Sequence, residues 1–189
     1  MANIIYTNDA IGLYPHLHTP VENSMSGKEE YSITVLIPKE DKATIDKIND
    51  ATDKLFKSNG WKVGKRLLRD GETDLTEGMA KTNERLMFYS NKMWFRAKSM
   101  YQPPVIDKFK APVEESVLSR SNGGNFRFKL QLNAFEVSGS KGVNCYIQGA
   151  MWLGENADIL RAYPKDELSP EEFGISTEYH DITDDDTPF

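Results

Sequence analysis

Between Lys92 and Tyr101 the chain reads KMWFRAKSMY. A strand turns successive side chains to opposite faces, so Lys92, Trp94, Arg96 and Lys98 share one side. Met93, Phe95, Ala97, Ser99 and Tyr101 share the other, which is mostly apolar and suits a core. The first side interleaves one aromatic ring with three cations. That surface can bind a polymer of rings and phosphates: a base stacks on the indole, at roughly 1–3 kcal/mol per base, while Lys and Arg follow the backbone. The plain structural alternative is a sheet face on which Lys and Arg stems merely cover Trp94.

Two further basic sets accompany it. Along Asn125–Phe135, Phe126, Phe128, Leu130, Leu132 and Ala134 face one way, and Arg127, Lys129, Gln131 and Asn133 the other. The two phenylalanines read as core, and Arg127 and Lys129 extend the basic surface if this strand shares a sheet with the first. The run WKVGKRLLRDG places Trp61, Lys62, Lys65, Arg66 and Arg69 in an irregular, Gly-punctuated stretch that can close over a ligand as a loop.

Groups suited to catalysis or metal binding are sparse. Asp70, Glu72 and Asp74 in RDGETD could share a divalent cation, but a nuclease needs more carboxylates from the core, and Asp-Gly is by itself a turn dipeptide. His16 and His18 alternate along a strand with no nearby cysteine, a poor zinc set. Neither a glycine-rich phosphate loop nor a Ser or Cys nucleophile signature is present. The expectation is a protein without metal or cofactor and without catalysis.

The elements that must position these residues follow from periodicity. Residues 10–18 form a first strand in which Pro15 demands an edge or a bulge. In YSITVLIP, Tyr31, Ile33, Val35 and Ile37 alternate with Ser32, Thr34 and Leu36. Residues 39–58 switch to helical spacing through Ile45, Ile48, Ala51, Leu55 and Phe56, with Pro38 near the start and Gly60 past the end. Residues 61–84 read as irregular. Three β-patterned stretches follow at about 86–101, 126–137 and 143–153, the last two joined by a hairpin at Gly139 and Gly142. Pro103, Pro104, Gly123 and Gly124 keep the intervening region out of regular sheet. Five or so strands with one long helix predict a compact OB-type barrel.

The 189 residues hold 39 % hydrophobic residues and one cysteine, Cys145. That composition is globular and fits a reducing compartment. No apolar run reaches membrane length, so the expectation is a soluble, cytoplasmic protein. The net charge of −6 divides unevenly: residues 154–189 carry eleven acidic and two basic groups, leaving the rest at +3. The expected organisation is therefore a mildly basic body, 1–155, and an acidic segment, 156–189, able to compete with a polyanion for the body.

The run HDITDDDTPF sets Asp184, Asp185 and Asp186 beside Pro188 and Phe189. It resembles the C-terminal peptide of bacterial single-stranded-DNA-binding proteins. A partner's apolar pocket rimmed by Lys or Arg would capture such a tip. The body carries its own resemblance. The order GKEEYSITVLIPKED, a helix, LLRDGET, a strand followed by QPPVID, then NFRFKLQLNAFEVSGSKGVNCYIQGAMWLGE resembles a family of phage single-stranded-DNA-binding proteins first catalogued as a domain of unknown function. The resemblance implies an OB-fold with an acidic tail. It also implies sequence-independent binding of single-stranded DNA in replication, recombination or repair within the infected host cell.

The expected contacts are Trp94 to bases and Lys92, Arg96, Lys98, Arg127 and Lys129 to phosphates, with Lys65, Arg66 and Arg69 in support. Replication or recombination proteins are the expected partners of the tip, and a homodimer is compatible with the sequence. The competing readings are a tail-mediated adaptor without DNA binding of its own and, third, a metal-dependent nuclease.

Overall fold

The computed structural model describes residues 3–24, 26–73 and 88–163. In chain order the elements are β1 (Asn3–Tyr6), β2 (Ala10–Glu22), β3 (Glu29–Pro38), α1 (Lys42–Ser58), β4 (Arg69–Asp70), β5 (Lys92–Ser99), β6 (Val105–Ile106), α2 (Glu115–Ser119), β7 (Gly123–Val137), β8 (Ser140–Gly154) and α3 (Ala157–Ala162).

Five of the strands close a ring. β2 pairs antiparallel with β3, β3 with β5 and β7 with β8; β5 meets β8 in parallel, and β7 returns to β2. This is the five-stranded OB-type barrel that the pattern predicted. β1, too short to announce itself by periodicity, adds to β7 beside residues 129–132. Inward positions follow the period of two: Ile33, Val35 and Ile37, Phe95 and Ala97, Phe126 through Leu132 at alternate residues, and Val143, Cys145 and Ile147 are all buried. Each such aliphatic or aromatic side chain contributes about 1.5–3 kcal/mol by leaving water. Burial also pushes the Cys145 thiol well above its usual range.

α1 packs its Ile48, Ala51 and Phe56 stripe into that core. Its start is set by Asp41, whose side chain accepts from the Thr44 amide at 3.1 Å, and not by Pro38. At its end Trp61 N–H donates to Phe56 O and Gly60 N–H to Lys57 O, the paired bonds of a Schellman stop.

Pro15 lies at a break in register between Leu13 and His16, where Tyr14 has φ 52°. Past that bulge β2 pairs with β3 alone. Two local expectations change. Gly123 and Gly124 open β7 inside the sheet, paired with Leu13 and Gly12. The hairpin turns on Ser138 and Gly139, φ 49° and 78°, while Gly142 lies within β8 opposite Phe135.

The folded body also runs past residue 155, where the sequence placed its boundary. Ile159 of α3 is fully buried with Leu13, Leu36, Phe88, Tyr89 and Trp94 in a second cluster on the outside of the barrel, and Tyr163 stacks on Phe88 at 6.1 Å.

Candidate nucleic-acid interface

β5 and β8 hydrogen-bond over only two residue pairs, Ala97 with Cys145 and Lys98 with Tyr146. Beyond them the barrel wall opens, and the chain from Lys65 to Asp70 bridges the gap. Lys65 N–H donates to Lys141 O at 2.8 Å and Lys65 O accepts from Val143 N–H at 3.1 Å. Arg69 and Asp70 then pair with Trp94 and Met93 of β5. Gly142 permits the approach, since a Cβ there would lie 2.8 Å from Lys65 O. Leu67 is buried in the opening, which leaves its basic neighbours outside.

The far end of the bridge is pinned. Lys39 Nζ lies 2.9 Å from Asp70 and 2.6 Å from Glu72, and Glu72 also accepts from the Asn91 amide. The Asp70 carboxyl is lowered by the Glu72 amide and by Lys39, and the Glu72 carboxyl by Lys39 and the Asn91 amide. The same contacts raise Lys39. These two carboxylates are thus engaged by an ammonium group; Asp74 lies outside the described residues.

Along this seam runs a groove of about 660 Å³ lined by Lys65, Arg66, Arg69, Arg96 and Lys98, with Glu30 as its one acidic side chain among the described residues. Five cations to one acid favour a polyanion. Thr34, opposite Arg96 in the sheet, contributes to the lining, as do Asn23, Phe135 and Asn144. Arg96 Nη2 donates to Ser32 Oγ at 3.1 Å and lies 3.4 Å from Glu30, with Lys98 Nζ at 3.6 Å from the same carboxylate. Arg66 is held by Asp53 at 2.8 Å.

Five of the residues picked from sequence therefore converge: Lys65, Arg66, Arg69, Arg96 and Lys98. Trp94 borders the groove but is no exposed platform, which corrects the expectation. Only 6 % exposed, it has Tyr89 edge-on to its ring at 5.5 Å and the Arg69 guanidinium 5.2 Å from the ring centre. It does face outward from the barrel, with Arg96 and Lys98, but residues 88–89 and α3 roof that end of the face.

Lys92 lies beyond the roof, its ammonium donating to Ser90 O. Arg127 and Lys129 are on the other side of the ring. There Arg127 pairs with Asp9, Lys129 lies 5.9 Å from the Tyr6 ring centre, and both line a separate hollow with Pro104 and Met151. Asp184, Asp185, Asp186, Pro188 and Phe189 lie outside the described residues. Glu30 was missed. The polar face of β3, Ser32 and Thr34, was the available signal for its neighbourhood.

A family model described as Enterobacter phage Enc34, ssDNA-binding protein matches residues 4–183. The chain belongs to this family. Solved structures of the same fold include the single-stranded DNA-binding protein from bacteriophage Enc34 in complex with ssDNA, 21 % identical over 82 % of this chain and 88 % of that one, TM-score 0.65. A second structure of the Enc34 protein is 19 % identical over 92 % and 90 %, TM-score 0.63. The single-stranded DNA binding protein gp2.5 encoded by bacteriophage T7 is 13 % identical over 88 % and 97 %, TM-score 0.54. No curated protein sequence matches the chain significantly. Among the described residues, no helix is long and apolar enough to cross a membrane.

Proposed function

We propose that this chain coats single-stranded DNA without reading its base sequence, in the cytoplasm of the infected cell during phage replication, recombination or repair. The observation that carries the reading is the convergence of five basic side chains on one groove of an OB-type barrel, in a chain of the Enc34 ssDNA-binding protein family. Phosphate contacts supply most of the affinity. Two of the three carboxylates suited to a metal, Asp70 and Glu72, are held by Lys39, which supports binding without catalysis. The acidic residues after position 163 support two further roles, competition with DNA for the groove and recruitment of replication or recombination proteins through Asp184, Asp185, Asp186, Pro188 and Phe189.

An electrophoretic shift with labelled oligo-dT tests the reading. Excess unlabelled single strand should displace the label, duplex should compete poorly, and added magnesium should leave the oligonucleotide intact. A preference for one duplex sequence persisting at high salt would overturn it, and cleavage with magnesium would favour the nuclease instead. Sedimentation of the free protein reads whether a homodimer forms.

A further inference from the structure

The outer face that carries Lys98 continues across the sheet. Lys98 pairs with Ser32, and Ser32 pairs with His16 of β2, so the three side chains form a row across adjacent strands, about 10 Å from end to end. At the end of that row lies a second cavity, of about 240 Å³, between the bulged stretch of β2 and α2. Tyr14 lines both the cavity and the basic groove. The cavity is below the ~300–1,000 Å³ of drug-sized ligands and several times the ~30 Å³ of a water.

Its walls pair flat or apolar groups, Pro15, Leu118 and the His16 ring, with polar ones, Ser121 and Asn122. Ser121 is 3 % exposed, and its Oγ has no hydrogen-bond partner among the described residues. A buried hydroxyl without a partner is costly, so the position favours a ligand that supplies one. His18 and Glu115 are already engaged, with Val113 O and with Thr19.

We propose that this cavity is a subsite for one base of the DNA strand lying in the groove. The inference rests on the single-strand reading above. The strand leaves the groove past Tyr14, and one base turns into the cavity and stacks against Pro15 or His16. As the Ser121 side chain turns toward the cavity, the base hydrogen-bonds its hydroxyl, which is inaccessible in the free protein. A hydroxyl both donates and accepts, so Ser121 satisfies any of the four bases and the site adds affinity without adding a sequence code.

The test compares the full chain with Ser119→Trp, which blocks the cavity from an exposed position, with Ser121→Ala, and with Arg96→Ala in the groove. Oligo-dT affinity is measured across a salt series, and the Ser121 and Asn122 amide resonances are followed on binding. Ser119→Trp should lower affinity about tenfold with an unchanged salt slope, Ser121→Ala about threefold, and the two amides should shift in the parent and stay still in Ser119→Trp. If the parent binds and Arg96→Ala weakens it, while Ser119→Trp binds like the parent and the amides do not move, the cavity takes no base and the groove reading stands alone. If the parent fails to bind oligo-dT, both fall.

Discussion

The Glu30 carboxylate, 5 % exposed, lies 3.4 Å from the Arg96 guanidinium, which is itself 52 % exposed. The acid is inside and the base outside. A buried charge must be compensated, and Glu30 is compensated by Arg96, Lys98 and the Asn23 amide. In return it orients both cations along the groove and offsets part of their charge. Glu30→Gln keeps the shape and removes that offset. It should raise affinity for single strands several-fold and for duplex or heparin by more, narrowing the discrimination. Competition titrations read both effects; a Glu30→Gln protein that binds single strands more weakly would mean positioning outweighs charge.

Groove cations and the basic residues across the ring should behave differently. Arg96→Ala should weaken oligonucleotide binding and reduce the salt slope by about 0.7, the contribution of one phosphate on a single strand. Arg127→Ala and Lys129→Ala remove charges that already face Asp9 and Tyr6, so their effect on affinity should be clearly smaller. Fluorescence-anisotropy titrations at several salt concentrations compare the three.

Trp94 belongs to the packing of the outer cluster. Trp94→Ala should cost about 3–5 kcal/mol of stability, the usual range for emptying a buried aromatic site. The protein that remains folded should bind oligonucleotide with nearly unchanged affinity. Denaturant unfolding and titration of the same variant separate the two; a stable Trp94→Ala protein with weakened binding would restore the stacking role.

The Lys39 clamp gives a pH signature. Asp70 and Glu72 are held below their ordinary values of 3.8 and 4.5, so they favour the folded form above those values and lose that contribution as pH falls through the lowered ones. Lys39 is raised above 10.5; its contribution is full below that pH and is lost as pH rises through the raised value. Carboxyl-carbon titration by NMR should show both acids titrating low, and Lys39→Met should return them toward normal. Glu72, for which Lys39 is the leading cause, should move most.

Deleting residues 170–189, which hold seven acidic groups and no Lys or Arg, should strengthen oligonucleotide binding at low salt, because a tethered polyanion competes at high effective concentration. The gain should shrink as salt shortens the screening length to about 8 Å and below. Equal affinities at low salt would reduce the segment to a tether.

The barrel was legible because its strands alternate strictly. Phe126 to Leu132, and Ile33 to Ile37, each commit one face to the interior. The side of β5 was legible for the same reason: Trp94, Arg96 and Lys98 do point outward together. Periodicity could not reveal that α3, distant in sequence, and residues 88–89, just upstream, cover one end of that side, since alternation shows only which way a strand's own residues face. The stretch 61–70 looked irregular because its partners, Lys141 and Val143 on one side and Trp94 on the other, lie far from it along the chain. Arg127 and Lys129 share a pattern with Arg96 and Lys98, yet a closed ring sends their strand to the opposite side.

The short seam between β5 and β8 bears on how the molecule folds. Its contacts, Ala97 with Cys145 and Lys65 with Val143, join segments far apart in the chain, and such contacts carry the largest loop-closure entropy and form slowly. The hairpins can form locally and early; the groove exists only once the ring has shut. Competence to bind and completion of the barrel are thus one event. A strand of DNA held across the seam favours the shut form by mass action, and local opening there would release it while the hairpins stay intact.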